Sequence, residues 1–346
     1  MTQKPLLFTG NSNPDLAREI AQRMDTRLGS ALADKFRNDE CRIEIKENVR
    51  GAEVFVLQSI CRAPNNQTVN DSLMELLLMI DALSRASAYR ISAVVPYYGY
   101  AKQDKKTKGR EPISAKLVAN LIEKAGAKRV VTLDLHAAQI QGFFDLPVDN
   151  LEAAPTLCSY LKSQGLEGNR IVVVSPDAGG VARAEKFAKR LRSTLAIVFK
   201  RRPEPDVSEV TEIVGDVDGR VAVVVDDMIS TGGTLAKAAE ALIKRGATKV
   251  YTCATHGIFA GDAVRVLSES PIEKIIVTNT IPHVESELGP KFKVLSIAQI
   301  LADAIKRITA NRSVSELFSK EDDGGQDTPG PDPPRIELPE VLTHAS

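Results

Sequence analysis

The chain has 346 residues, 43% of them apolar and 26% charged, with 45 Lys+Arg balanced by 45 Asp+Glu. At roughly 150 residues per domain, that length holds two domains with ample core. The zero formal charge argues against a nucleic-acid partner, and no apolar run approaches the ~20 residues that span a bilayer. Met1-Thr2-Gln3-Lys4-Pro5 carries none of the apolar character of a signal peptide. Cys41, Cys61, Cys158 and Cys253 are scattered with no CxxC, so reduced thiols in a cytoplasmic protein are expected, and no zinc site. Tryptophan is absent and tyrosine is sparse outside Tyr97-Tyr98-Gly99-Tyr100, which speaks against a base-stacking platform.

In chain order, Leu73, Leu76, Leu77, Ile80 and Leu83 follow the spacing of an amphipathic helix. Ile91–Val95 and Val130–Leu133 then read as strands, followed by Ile171–Val174, Ala196–Phe199, Val221–Val225 and Ile275–Val277. Their apolar residues run on with little alternation, as strands of a parallel sheet covered on both faces require. A second helix is predicted by Leu235, Ala238, Ala239, Leu242 and Ile243. This alternation predicts an α/β fold of mainly parallel sheets flanked by helices.

The sequence also repeats itself. Lys124, Gly126, Ala127, Val130, Thr132 and His136 recur 120 residues on as Lys244, Gly246, Ala247, Val250, Thr252 and His256. In each copy a helix ends at Gly and a strand follows. Duplication of one α/β unit is the reading, with domains at 1–150 and 151–319. Residues 320–346 carry five prolines, seven acids and two bases without apolar periodicity, and a disordered tail is expected there. Its net charge of −5 leaves the body at +5, a balance that suits small anionic substrates.

The strongest chemical signal is Val223-Val224-Val225-Asp226-Asp227-Met228-Ile229-Ser230-Thr231-Gly232-Gly233-Thr234, followed by the second helix. A buried strand delivers two carboxylates at its C-terminal end, where doubly wound sheets bind ligands. The Ser/Thr/Gly loop then opens a helix, whose backbone N–H groups and dipole cradle an anion. Glycine lets the backbone approach a phosphate without obstruction. Carboxylates would repel that phosphate, so their use is to accept hydrogen bonds from sugar hydroxyls or to hold a cation. Together these features describe a pentose 5-phosphate site.

The string resembles the phosphoribosyl-pyrophosphate loop of type I phosphoribosyltransferases, and residues 6–319 are similar to the ribose-phosphate pyrophosphokinase family. The similarity is carried by Asn11-Ser12-Asn13-Pro14, Pro96-Tyr97-Tyr98-Gly99-Tyr100-Ala101, Gly109-Arg110-Glu111-Pro112-Ile113, Asp134-Leu135-His136-Ala137, Ser175-Pro176-Asp177-Ala178-Gly179-Gly180 and Lys200-Arg201-Arg202-Pro203. It implies two tandem type I phosphoribosyltransferase-like domains, the first with ATP-binding loops and the second with the ribose-5-phosphate loop. It implies transfer of pyrophosphate from ATP to ribose 5-phosphate, with release of AMP, by a magnesium-dependent homo-oligomer, a hexamer in the family.

By the same resemblance, Lys200 and Arg202 act on the transferring group, and His136 and Asp177 meet magnesium. Phe36, Asn38, Asp39 and Glu40 take the adenine with Lys102 and Gln103 nearby. Asp226 and Asp227 hold the ribose hydroxyls, and Ser230, Thr231, Gly232, Gly233 and Thr234 hold the 5-phosphate. Asp39, Lys102 and Ser230 depart from the family's usual residues, and Lys cannot form the bidentate fork of Arg. The 120-residue offset sets Lys106–Ser114 in the place of Asp226–Thr234, a cationic flap in one copy against a phosphate cradle in the other. Two alternatives stand beside this reading: a phosphoribosyltransferase, and a non-catalytic paralogue that co-assembles with the enzyme.

Overall fold

Buried β-branched runs and amphipathic helices assemble two sheets. The structure, a computed structural model, describes residues 4–201 and 210–319. The first half begins with β1 (Leu6–Thr9), α1 (Pro14–Arg23) and a two-stranded antiparallel hairpin of β2 (Ala31–Lys35) and β3 (Cys41–Ile45). It continues through β4 (Glu53–Leu57), α2 (Val69–Arg85), β5 (Arg90–Val95), α3 (Ser114–Ala125), β6 (Arg129–Leu133) and β7 (Val148–Leu151). Five of these strands form a fully parallel sheet in the order β1-β4-β5-β6-β7.

The second half runs through α4 (Ala154–Ser163), β8 (Ile171–Ser175), α5 (Val181–Leu191), β9 (Thr194–Arg201) and β10 (Val210–Val214). Then come β11 (Val221–Ile229), α6 (Gly233–Lys244), β12 (Lys249–Gly257), α7 (Ala263–Glu269), β13 (Ile272–Thr278), α8 (Glu285–Leu288), β14 (Phe292–Leu295), α9 (Ala298–Thr309) and α10 (Glu316–Ser319). Its seven-stranded sheet has the order β10-β9-β8-β11-β12-β13-β14, parallel except where β10 pairs with β9.

Every predicted strand is present, and the apolar runs are buried as a doubly covered sheet demands. Ala222, Val223, Val224 and Val225 are all fully buried, as are Ile275, Ile276 and Val277. Burying one such Val or Ile side chain is worth about 1.5–3 kcal/mol. The repeat holds at its helix–glycine–strand junction: α3 and α6 are each followed by a glycine at positive φ, Gly126 at 122° and Gly246 at 100°. It does not extend upstream. Residues 96–113 separate β5 from α3, whereas only residues 230–232 separate β11 from α6. Lys106–Ser114 therefore does not occupy the place of Asp226–Thr234, because a long insertion precedes the first helix.

The two halves are not separate balls. Helix α9 packs along α1, and Ile297, Leu301 and Ile305 share one buried core with Leu16 and Ile20. Polar pins cross the same seam: Asn13 donates to the carbonyl of Asn279 at 2.8 Å, and the Ser59 hydroxyl to that of Thr280 at 2.6 Å. Among the described residues no helix is long and apolar enough to cross a membrane. Arg202 and the acidic tail lie outside the described residues.

Candidate active site

Strand order locates the site. After β8 the chain moves outward to β9, and after the neighbouring β11 it moves the other way to β12. A crevice opens outside the carboxyl ends of strands at such a reversal, and ligands of open α/β sheets bind there. Asp177 follows β8 by two residues, and Asp226 and Asp227 belong to β11. The five-stranded sheet has no reversal, since its strands follow one another in a single direction.

The acids lie inside their strand rather than at its end. Pairing with β12 continues past them, with Asp226 opposite Ala254 and Ile229 opposite Gly257, and so extends β11 to Ile229. Ser230, Thr231 and Gly232 make the turn, and Gly233 and Thr234 open α6, whose N-terminus has no side-chain cap. Gly232 sits at φ 75°, and a Cβ there would meet Leu267 of α7 at 2.7 Å. Behind the turn, Ile258 and Phe259 donate their N–H groups to the carbonyl of Ile229, and Ala260 donates to that of Ser230. The turn is thus fixed from behind and leads directly into the first turn of α6, the kind of helix start at which anions bind.

Two further residues complete the acid pair. Nδ1 of His136, from the turn after β6, lies 2.7 Å from Oδ2 of Asp227. Arg183, in the first turn of α5, places Nη1 3.3 Å from Asp226 Oδ1 and Nη2 3.5 Å from Asp227 Oδ1. Burial raises the pKa of both acids, but they part company. At Asp227 the His136 hydrogen bond and the Arg183 charge outweigh burial and hold the carboxyl down at about 2. At Asp226 burial and the neighbouring Asp227 outweigh Arg183 and push it up to about 7. His136 is raised by its bond to Asp227. The pair therefore carries one firm negative charge, on Asp227, and Asp226 is the carboxyl that takes a proton first.

Asp177 is exposed, and its Oδ1 accepts the N–H of Gly180 at 2.9 Å. Among the described residues no group of three or more His, Cys, Asp or Glu could enclose a metal. Magnesium suits such a sparse donor set, because it keeps several waters and uses one or two carboxylates plus substrate phosphates. His136 has Nδ1 committed to Asp227, and magnesium's preference for oxygen does not favour an imidazole as a direct ligand.

The nucleotide candidates form a separate group on the first half. Phe36–Glu40 is the tip of the β2–β3 hairpin, closed by Phe36 N–H to Glu40 O at 2.8 Å, with Asp39 at φ 66°. Phe36 is 50% exposed, and the Arg42 guanidinium lies 5.6 Å from its ring centre. The Asn38 side chain turns back to the Glu40 N–H at 3.5 Å. Lys102 and Gln103 are exposed, and the Gln103 carbonyl accepts the N–H of Ala115 at 3.2 Å at the start of α3. Lys200 lies within β9 opposite Thr211 of β10, because antiparallel pairing carries the strand one residue beyond it.

Sequence reasoning missed Arg183 and the His136–Asp227 contact. A basic residue in the helix turn after Asp177-Ala178-Gly179-Gly180 was the available signal for the first. The second joins positions 91 residues apart, and no local pattern reveals it.

A Ser/Thr/Gly turn opening a helix beside an acid pair, at the reversal point of a mainly parallel sheet in a two-sheet α/β chain, defines a protein of phosphoribosyltransferase-like architecture. Comparison with known proteins narrows this. Residues 5–126 match the N-terminal domain of ribose phosphate pyrophosphokinase, and residues 202–319 match the phosphoribosyl synthetase-associated domain. The chain is 51% identical over 315 residues to a ribose-phosphate pyrophosphokinase of Clostridium acetobutylicum, covering 91% of this chain and 97% of that one. It is 54% identical over 313 residues to the same-named protein of Caldanaerobacter subterraneus subsp. tengcongensis, covering 90% and 97%. The crystal structure of phosphoribosylpyrophosphate synthetase from Mycobacterium smegmatis superposes with a TM-score of 0.83 at 45% identity, covering 89% of this chain and 100% of that one. The chain belongs to the ribose-phosphate pyrophosphokinase family.

Proposed function

We propose that the chain transfers the terminal diphosphate of ATP to the anomeric hydroxyl of ribose 5-phosphate. A bond forms between that oxygen and the β-phosphorus, the link from the β-phosphorus to the α-phosphate oxygen breaks, the hydroxyl proton passes to solvent, and AMP leaves. The products are 5-phospho-α-D-ribose 1-diphosphate and AMP. The observation that carries this reading is the joining of an anion cradle to a carboxylate pair at the sheet's reversal point. A sugar with a phosphate at one end and hydroxyls at the other fits that pairing.

Each residue then has a role. Ser230–Thr234 hold the 5-phosphate and Asp226 and Asp227 accept from the ribose hydroxyls, while Phe36, Asn38, Asp39, Glu40, Lys102 and Gln103 take the nucleotide. Lys200 and Arg202 stabilise charge on the transferring group, since phosphoryl chemistry needs cations and positioning more than covalent help. Asp177, with His136 through water, would hold magnesium, which when bound neutralises phosphate charge and makes the β-phosphorus more electrophilic. Family resemblance supports a homo-oligomer, a hexamer, and the division into domains at 1–150 and 151–319 belongs to the same proposal.

The deciding experiment incubates purified protein with ATP, magnesium and ribose 5-phosphate and identifies the nucleotide product. AMP formed in step with ribose 5-phosphate consumption is expected. ADP as the product, or no turnover, would remove the proposal, and no turnover would favour the non-catalytic paralogue. Light scattering of the same preparation tests the assembly.

A further inference from the structure

The repeat gives His136 a counterpart, His256, which occupies a different setting. His256 lies on β12, opposite Met228 of β11, and is only 2% exposed. Its Nε2 faces two carbonyl oxygens across the seam, those of Leu133 at 3.2 Å and Asp134 at 3.3 Å. Carbonyls only accept, so this nitrogen carries the proton and donates. Its Nδ1 then accepts from the Thr280 hydroxyl at 2.9 Å, while the Thr278 hydroxyl donates to the carbonyl of Thr255 at 2.7 Å. Burial favours the neutral ring that this pattern needs. Tyr97 packs edge-on against it with ring centres 5.1 Å apart.

The backbone that His256 grips is strained. Asp134 has φ 36°, in the left-handed region that residues with side chains rarely adopt. Its N–H donates to the Leu151 carbonyl at 2.9 Å, and its Oδ2 accepts from Ala153 N–H at 2.9 Å and from the Thr255 hydroxyl at 2.6 Å. Two consecutive residues of β12 thus hold this one residue of the other half, Thr255 by its carboxylate and His256 by its carbonyl. Two positions on, the His136 ring meets Asp227. That ring is 38% exposed, so packing does little to aim it, and the turn before it does more.

We propose that His256 is a positioning residue for the transfer reaction: by holding the carbonyls of Leu133 and Asp134 it fixes the turn that sets His136 against Asp227. The duplicated histidine thereby serves the site twice, once at its edge and once as the latch behind it. This rests on the reading of His136 and Asp227 as parts of that site.

A double-mutant cycle tests it on the full-length protein. His256→Leu should lower kcat about 10- to 100-fold, the usual cost of losing a supporting partner behind a functional group, with both Michaelis constants little changed. In a His136→Ala background the same substitution should cost almost nothing further. His256→Gln, whose amide nitrogen reaches the place of Nε2, should restore most of kcat. Hydrogen exchange of the amides of residues 133–137 should quicken in His256→Leu and not in His256→Gln. If the leucine variant does not fold, His256→Asn replaces it, since its shorter amide reaches Thr280 but not the carbonyls. Wild-type kcat in the variant lacking the donor, failure of Gln to rescue, or equal losses in the two backgrounds would overturn the proposal alone. A kcat left undiminished by His136→Ala would remove both the proposal and the place of His136 in the site.

Discussion

Gly232 is the point where backbone geometry, packing and the proposed 5-phosphate site meet. Its φ of 75°, and the mere 2.7 Å that would separate a Cβ on this residue from Leu267 Cγ, make two separate charges against alanine. The left-handed backbone costs about 1–2 kcal/mol for a residue with a Cβ, and forcing a methyl into packed surroundings costs about 1–3 kcal/mol. Gly232→Ala should therefore destabilise the protein by about 2–5 kcal/mol in urea unfolding at fixed protein concentration. The two parts separate in a cycle with Leu267→Ala, which alone should cost about 2–5 kcal/mol as a cavity. With Leu267 removed, the clash is gone and Gly232→Ala should cost only the backbone share, about 1–2 kcal/mol. Because the residue turns the chain into α6, the folded variant should also bind ribose 5-phosphate more weakly while its Michaelis constant for ATP holds. An equal cost of Gly232→Ala in both backgrounds would refute the steric argument. Equal weakening of both substrates would refute the placement of the sugar phosphate.

Three further outcomes are expected. Asp226→Asn and Asp227→Asn should each weaken ribose 5-phosphate more than ATP, Asp227→Asn by about 1.5–3 kcal/mol for its lost charged acceptor and Asp226→Asn by less, since Asp226 is the carboxyl that takes a proton first; titration of both substrates checks it, and a larger loss for ATP would assign the acids to the nucleotide. Lys200→Ala and Arg202→Ala should each lower kcat by about 10²–10³ with Michaelis constants nearly unchanged, and a pure Michaelis-constant effect would make them binding residues only. Burial, opposed weakly by the Gly257 backbone, lowers His283 from 6.5 to about 4. Its folded pKa being depressed, the unfolded chain binds one proton more between those values. Stability is thus fully present above about pH 6.5 and falls by up to about 3 kcal/mol as pH drops toward 4. Unfolding of His283→Gln, which cannot titrate, should show a shallower loss over that window, and an unchanged slope would exclude His283 as its source.

Legibility in the sequence follows how local each feature is. The strands at 91–95, 130–133, 171–174 and 221–225 declare themselves because both faces are covered, so almost every residue must be apolar. β2 and β3 carry Asp34, Lys35, Arg42 and Glu44 on a largely solvated hairpin, and β7 is only Val-Asp-Asn-Leu; neither leaves such a mark. The proposed phosphate cradle is readable because acids, turn and helix start are contiguous. Arg183 and His136 are not readable as its partners, since their proximity is set by strand order and by the seam. The repeat is informative where helix packing constrains it and misleading in residues 96–113, where an insertion escapes that constraint.

The seam shows why a duplicated chain needs both kinds of contact. Joining two α/β units by apolar packing alone, as α9 does on α1, gives affinity without direction, since the hydrophobic effect is non-directional. Diphosphate transfer asks for more: reacting atoms within about 3–3.5 Å and aligned, with misplacement by an ångström costing orders of magnitude. Directional bonds supply that register. Asn13 and Ser59 take the carbonyls of Asn279 and Thr280, Thr255 takes the carboxylate of Asp134, and His256 donates to the carbonyls at the end of β6. All of these bonds lie at the carboxyl ends of strands, on the edge where Asp177, Asp226 and Asp227 stand. Apolar burial thus holds the halves together, and the polar bonds at the site's own edge decide how they face each other.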